Sequence, residues 1–88
     1  MLKKDFTILN KMGLHARPAA MFVKKANTFK CEVFVEKDDE NVNGKSIMAL
    51  MMLAAGHGDT ITVQVEGADE EKAMEELGAI INAGFNEL

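Results

Sequence analysis

The chain switches repeatedly between two hydrophobic periods. Phe6 and Ile8 alternate with Asp5 and Thr7, a spacing of two that predicts a short half-buried strand. A polar stretch containing Gly13 follows, and from Ala16 to about Asn27 the period becomes helical. Ala19, Phe22, Val23 and Ala26 recur at three and four, while Arg17, Lys24 and Lys25 fall off that stripe. Pro18 lies in the first turn, where its missing N–H costs nothing. Cys31, Val33 and Val35 then alternate with Glu32, Phe34 and Glu36, predicting a second strand. Asp38 to Asn41 carries turn chemistry, so a hairpin into a brief strand near Glu40–Asn43 is expected.

Ser46 is suited to cap a short helix running to near Gly56. Ile61, Val63 and Val65 alternate with Thr60, Thr62 and Gln64 as a fourth strand. Gly67 and Asp69 open a last helix, whose first turn holds Glu70 and Glu71 at the positive end of its dipole. Ala73, Met74, Leu77, Ile80, Ile81 and Gly84 form its apolar stripe. The order βαββαβα predicts an α+β open-faced sandwich. A four-stranded antiparallel sheet carries three helices on one face, in a single domain over residues 1–88.

Composition narrows the function classes. With 88 residues, 48% hydrophobic and 27% charged, the chain suits one modest core. The longest apolar run, Ile47 to Ala55, is far below the ~20 residues a membrane helix needs. Met1 to Lys4 leads directly into Asp5 and a strand pattern, so no secretory leader is expected. Cys31 is the only cysteine and there is no Cys/His cluster, so neither an internal disulfide nor a metal site is expected. No cofactor is implied, and a reducing cytoplasm is the expected address. The net charge of −4 conceals an asymmetry: residues 1–30 sum to +6 and residues 31–88 to −10. A basic third suits an acidic partner or a phosphate, whereas the acidic remainder argues against wrapping nucleic acid. Phe34, a lone aromatic on the uncovered sheet face, lacks the basic strands of an RNA-binding sheet. His57, between two glycines, has no partner at ligand spacing and reads as a solvated loop residue.

His15 stands just before the first predicted helix, in the segment Gly13 to Ala20. First-turn N–H groups have no partners inside their helix, so a phosphoryl group on His15 would meet donors already aimed at it. Arg17 can add a guanidinium to the same oxygens. Its positive charge also favours the uncharged ring that a nucleophile requires. The bland alternative is a capping or surface histidine without chemistry.

The octet Gly-Leu-His-Ala-Arg-Pro-Ala-Ala closely resembles the active-site signature of the HPr family, the histidine-containing phosphocarriers of the bacterial phosphoenolpyruvate-dependent phosphotransferase system. The resemblance covers essentially the whole chain in length and element order. It implies that His15 takes a phosphoryl group on Nδ1 from enzyme I and passes it to IIA domains of sugar permeases. Arg17 would assist, with the backbone N–H groups of Ala16 and Arg17 as donors. Such a protein carries a group and turns over no substrate alone. Met12 departs from the small polar residue common at that position in the family.

A second constellation runs from Asn43 to Leu53. Leu50 and Leu53 with one methionine suffice for a core stripe, which leaves Ile47, Met48 and Met51 partly exposed. Together with Lys24 they predict an adaptable docking surface beside the phosphate site. The alternative is a fully sandwiched helix. Ser46 resembles the site phosphorylated by HPr kinase/phosphorylase in regulated members, although a cap alone explains a serine there. Ala49 and Met52 depart from the glycine and serine of many of those members. The run Met51 to Gly56 looks more like nitrogen-related relatives, so a regulatory interaction module is the second functional reading. Either module is expected to act as a monomer.

Overall fold

The computed structural model describes all 88 residues. Its elements are β1 (Leu2–Thr7), α1 (Ala16–Ala26), β2 (Glu32–Lys37), β3 (Glu40–Asn43), α2 (Ile47–Met52), β4 (Thr60–Glu66) and α3 (Glu70–Asn82). A 3₁₀ turn over Gly84–Asn86 follows. The strands form one sheet in the order β1-β4-β2-β3, with every neighbouring pair antiparallel. The α+β open-faced sandwich read from the periodicities is thus the observed fold. The last strand in sequence fills the slot between β1 and β2, so the sheet is complete only when β4 arrives.

Strand alternation decides which face is covered. Phe6, Val33, Val35, Ile61, Val63 and Val65 are buried, while Asp5, Glu32 and Thr60 remain exposed. Register aligns them across the sheet: Val65 lies opposite Leu2 and Val33, and Val63 opposite Lys4 and Val35. The helices supply the other half of the core. Ala19, Phe22, Val23 and Ala26 of α1, Leu50 of α2, and Ala73, Met74, Leu77 and Ile81 of α3 are all buried, as their spacing predicts. Burying each large side chain of this kind contributes roughly 1.5–3 kcal/mol against the entropy of ordering it. The β2–β3 hairpin turns on Asp38 and Asp39, both at positive φ (49° and 69°), the geometry of a tight two-residue loop.

Three local details differ from expectation. Helix α2 stops at Met52 rather than near Gly56, because Ala54 adopts a left-handed backbone (φ 52°) and the last turn closes by i→i−3 bonds. The Ala55 carbonyl is thereby released to accept the Leu14 N–H at 2.8 Å. Gly84 belongs to the 3₁₀ turn rather than to α3, and Ile80 is only half-buried. The α3 N-cap, Asp69, makes no capping bond. Its carboxylate instead accepts the N–H groups of Lys30 (2.8 Å) and Cys31 (2.9 Å), tying the start of β2 to the start of α3.

Candidate functional site

The loop from β1 to α1 is held by backbone on both sides. Ile8 N–H donates to the Asp59 carbonyl and Gly58 N–H donates to that of Ile8, at 2.9 and 2.8 Å. Gly13 has φ +67°, and a Cβ there would stand 2.4 Å from the Ala55 carbonyl oxygen. Only glycine lets the loop lie so closely on the segment after α2. Leu14, whose side chain is buried, then fixes the level at which the next residue leaves the loop.

That residue is His15, the α1 N-cap, in extended conformation (φ −80°, ψ −170°) and making no side-chain capping bond. Its ring is therefore free for other work, and it remains 31% exposed. Ala19 N–H is the first to bond back, donating to the His15 carbonyl at 3.0 Å. Pro18 has no N–H, so the first turn offers two unpartnered donors, those of Ala16 and Arg17. Arg17 is exposed and forms no ion pair. The structure therefore gathers His15, Ala16 and Arg17 at one helix end, as the sequence suggested.

The group in contact with the ring is one that sequence reasoning missed. The Glu87 carboxylate lies 2.9 and 3.0 Å from His15 Nε2 through its two oxygens. It also accepts from Asn10 Nδ2 at 2.8 Å. Asn10 is fully buried and spends its other amide hydrogen on the Gly13 carbonyl at 2.7 Å. Its Oδ1 has no partner. The His15 and Asn10 hydrogen bonds hold the Glu87 carboxyl below the usual carboxylate range. An ionised carboxylate can only accept, so Nε2 carries the hydrogen, and in the neutral ring Nδ1 keeps the lone pair. Sequence reasoning weighed only the positive charge of Arg17 beside the ring; the charge in direct contact with it is negative, and it acts by selecting the tautomer. Glu87 reaches this position because the chain reverses through Gly84, Phe85 and Asn86, all at positive φ, with Phe85 buried as an anchor.

The second constellation lies on α2. Ser46 caps it, its Oγ accepting from Ala49 N–H at 3.2 Å. Ile47, Met48, Met51 and Met52 line one shallow apolar groove of about 480 Å³. The helix is therefore not fully sandwiched: Met48 is 74% and Met51 43% exposed. Lys24 stands apart from that groove, in a smaller one between α1 and α3 with Met21, Lys25, Thr28 and Ile80. Lys25 is bound at 3.2 Å to Glu76, while Lys24 is unpaired. His57, called a loop residue from sequence, is exposed and lines a cleft with Leu9, Lys11, Met12, Glu87 and Leu88. No group of three or more His, Cys, Asp or Glu side chains is placed to hold a metal ion, and no helix is long and apolar enough to cross a membrane.

Comparison with known proteins gives a consistent result. The family model described as "PTS HPr component phosphorylation site" matches residues 2–83. The phosphocarrier protein HPr of Neisseria meningitidis is 53% identical over 87 residues, covering 99% of this chain and 98% of its own. The crystal structure of an HPr from Thermoanaerobacter tengcongensis superposes with a TM-score of 0.96 at 44% identity, over 100% of this chain and 99% of that one. Crh of Bacillus subtilis, a catabolite-repression protein described as a swapped, intertwined dimer, is 45% identical with a TM-score of 0.77, over 96% and 97% of the two chains.

Proposed function

The chain belongs to the PTS HPr family, and from that premise we propose that it carries a phosphoryl group on Nδ1 of His15, received from phospho-enzyme I and delivered to IIA domains of sugar permeases. The observation that carries this reading is the Glu87 contact to Nε2, which leaves Nδ1 as the nucleophilic nitrogen at a helix end with two free donors. In transfer, the Nδ1 lone pair attacks phosphorus and the bond to the donor breaks. The phosphoryl oxygens accept from the Ala16 and Arg17 N–H groups, and the Arg17 guanidinium balances their charge. In the return step the imidazole leaves neutral, because the proton on Nε2 is already held by Glu87. The one histidine–carboxylate pair in the site, His15–Glu87, is committed to holding the phosphoryl-accepting tautomer, so the role is carriage without turnover.

The docking surface combines Arg17 and Lys24 with the Ile47–Met48–Met51 groove, and charge complementarity requires an acidic partner face. The two grooves lie on different helices, so a partner that uses both spans α1 and α2. Ser46, at the edge of that surface, is the proposed regulatory phosphorylation site for a kinase of the HPr kinase/phosphorylase type. A regulatory role in which phosphorylation signals, rather than feeds sugar uptake, is the second reading, favoured by the likeness to Crh. Action as a monomer is part of the proposal, and sedimentation at micromolar concentration separates it from a swapped dimer.

The test is intact-mass analysis after incubation with enzyme I and phosphoenolpyruvate. One acid-labile, alkali-stable phosphate is expected on the wild type and none on His15→Ala. Equal labelling of both proteins would remove the carrier assignment.

A further inference from the structure

Sulfur is distributed unevenly over this molecule. The one thiol, Cys31, is 2% exposed beneath the Asp69 carboxylate, and its burial pushes its pKa up, so the usual first target of oxidants is withdrawn. The thioethers show the opposite arrangement. Met74 is buried and Met21 half-buried, and Met1 and Met12 are exposed (64% and 73%) but lie outside the α2 groove. Helix α2, by contrast, presents Met48, Met51 and Met52, the last at 72% exposure, side by side in one groove with Ile47. Six helical residues with three accessible thioethers concentrate the oxidisable surface where the carrier reading puts its partner contact. Two of them, Met48 and Met52, are four apart and so stand on one helix face.

We propose that Met48, Met51 and Met52 form a reversible oxidation switch, in which peroxide converts the docking groove from apolar to polar and so weakens the encounter with the phosphoryl donor. The chemistry needs only hydrogen peroxide. A thioether lone pair attacks one peroxide oxygen, the O–O bond breaks and an S–O bond forms. Sulfur loses two electrons, and the departing hydroxide takes a proton to leave as water. The product carries a strong S=O dipole that must be desolvated on docking, and sulfoxide reductases return it to the thioether. His15, Arg17 and Glu87 contain no sulfur, and the one thioether in the cleft beside Glu87 is Met12. The inference rests on the docking surface proposed above.

The experiment treats the full chain with hydrogen peroxide, maps sulfoxides by peptide mass, and measures phosphoryl transfer from enzyme I to His15. Oxidation is expected first at the exposed Met1, Met12, Met48 and Met52, with Cys31 and Met74 unmodified. The KM for the carrier should rise at least ten-fold with kcat little changed, and methionine sulfoxide reductase should restore it. A Met48→Leu/Met51→Leu/Met52→Leu variant, compared with its own untreated sample, should lose the response to peroxide; because it keeps Met1 and Met12, it assigns the effect to the groove. An unchanged KM in protein whose three α2 methionines are fully oxidised would overturn the switch, as would modification falling first on Cys31 or Met74. Met48→Asp separates the two levels of inference. If it raises KM while the sulfoxides do not, docking stands and the switch falls; if neither does, the docking surface is misplaced and the switch falls with it.

Discussion

Adding a single methyl group at Gly13 tests how the proposed phosphoryl site is held. In Gly13→Ala the new Cβ stands 2.4 Å from the Ala55 carbonyl oxygen and 2.7 Å from Gly56 Cα, both backbone atoms that cannot rotate away. The loop must retreat by at least about 0.6 Å to reach even 3.0 Å, below which real Cβ contacts essentially never occur. That movement stretches the 2.8 Å bond from Leu14 N–H to the same oxygen, at a cost of about 1 kcal/mol. The left-handed backbone adds about 1–2 kcal/mol for any residue with a Cβ. The sum is about 2–3 kcal/mol, which lowers Tm by about 8–24 °C for a domain of this size. Gly58→Ala is the matched control: φ is +87°, but a Cβ there meets nothing within 4 Å. It carries the backbone cost alone, about 1–2 kcal/mol, or about 4–16 °C, so Gly13→Ala should lose about 1 kcal/mol more than its control. Thermal melts of both variants by circular dichroism, with amide chemical shifts of Leu14, His15 and Ala16, provide the comparison. Equal melting losses, or unmoved His15 shifts in Gly13→Ala, would refute the view that this glycine positions the histidine through contact with Ala55.

Glu87→Gln removes the ionised acceptor, and ¹⁵N shifts of the His15 ring should report a loss of preference for the Nε2–H tautomer. Because the folded-state pKa of Glu87 is depressed, its contribution to stability is complete above the ordinary value of 4.5 and disappears as pH falls through the lower folded value. Urea midpoints of Glu87→Gln and wild type should therefore differ at pH 7 and converge in acid. Ser46→Ala should lose roughly 0.5–1 kcal/mol, the low end for a cap whose bond is 3.2 Å long, while Ser46→Asp should melt like wild type and accept phosphate more slowly from enzyme I. Arg17→Glu and Lys24→Glu should weaken enzyme I binding by an amount that shrinks with added salt. Met48→Asp should weaken it at every salt concentration, as titration calorimetry can measure.

Most of the fold was legible because each element has a clean period. The stripes of α1 and β4 fall on the buried positions, and Asp38–Asp39 announces its own turn. The proposed phosphoryl site could be assembled from sequence because its parts are consecutive: histidine, two donors and a proline span four residues. What stayed hidden is non-local. Glu87 is separated from His15 by 72 residues, and nothing in the terminal Gly84 to Leu88 announces that a buried Phe85 at positive φ will turn the chain back. Asn10 reads as a loop residue until its amide is seen bridging Gly13 and Glu87. The early end of α2 depends on Ala54 taking a conformation usually left to glycine, a choice imposed by the loop that uses the Ala55 carbonyl.

Pro18 sets a thermodynamic limit on the carrier reading. A helix N-terminus normally offers a third free N–H where this chain has a ring nitrogen without hydrogen. Each hydrogen bond to a charged acceptor is worth about 1.5–3 kcal/mol, and about 1.4 kcal/mol is a factor of ten in an equilibrium. A third donor would thus deepen the phosphorylated state by roughly ten- to a hundred-fold and slow its discharge. For a relay that must both accept and surrender its group, holding it less firmly keeps the group-transfer potential high. In the proposed carrier, the same proline that starts α1 would therefore also keep a phosphorylated His15 from becoming a thermodynamic trap.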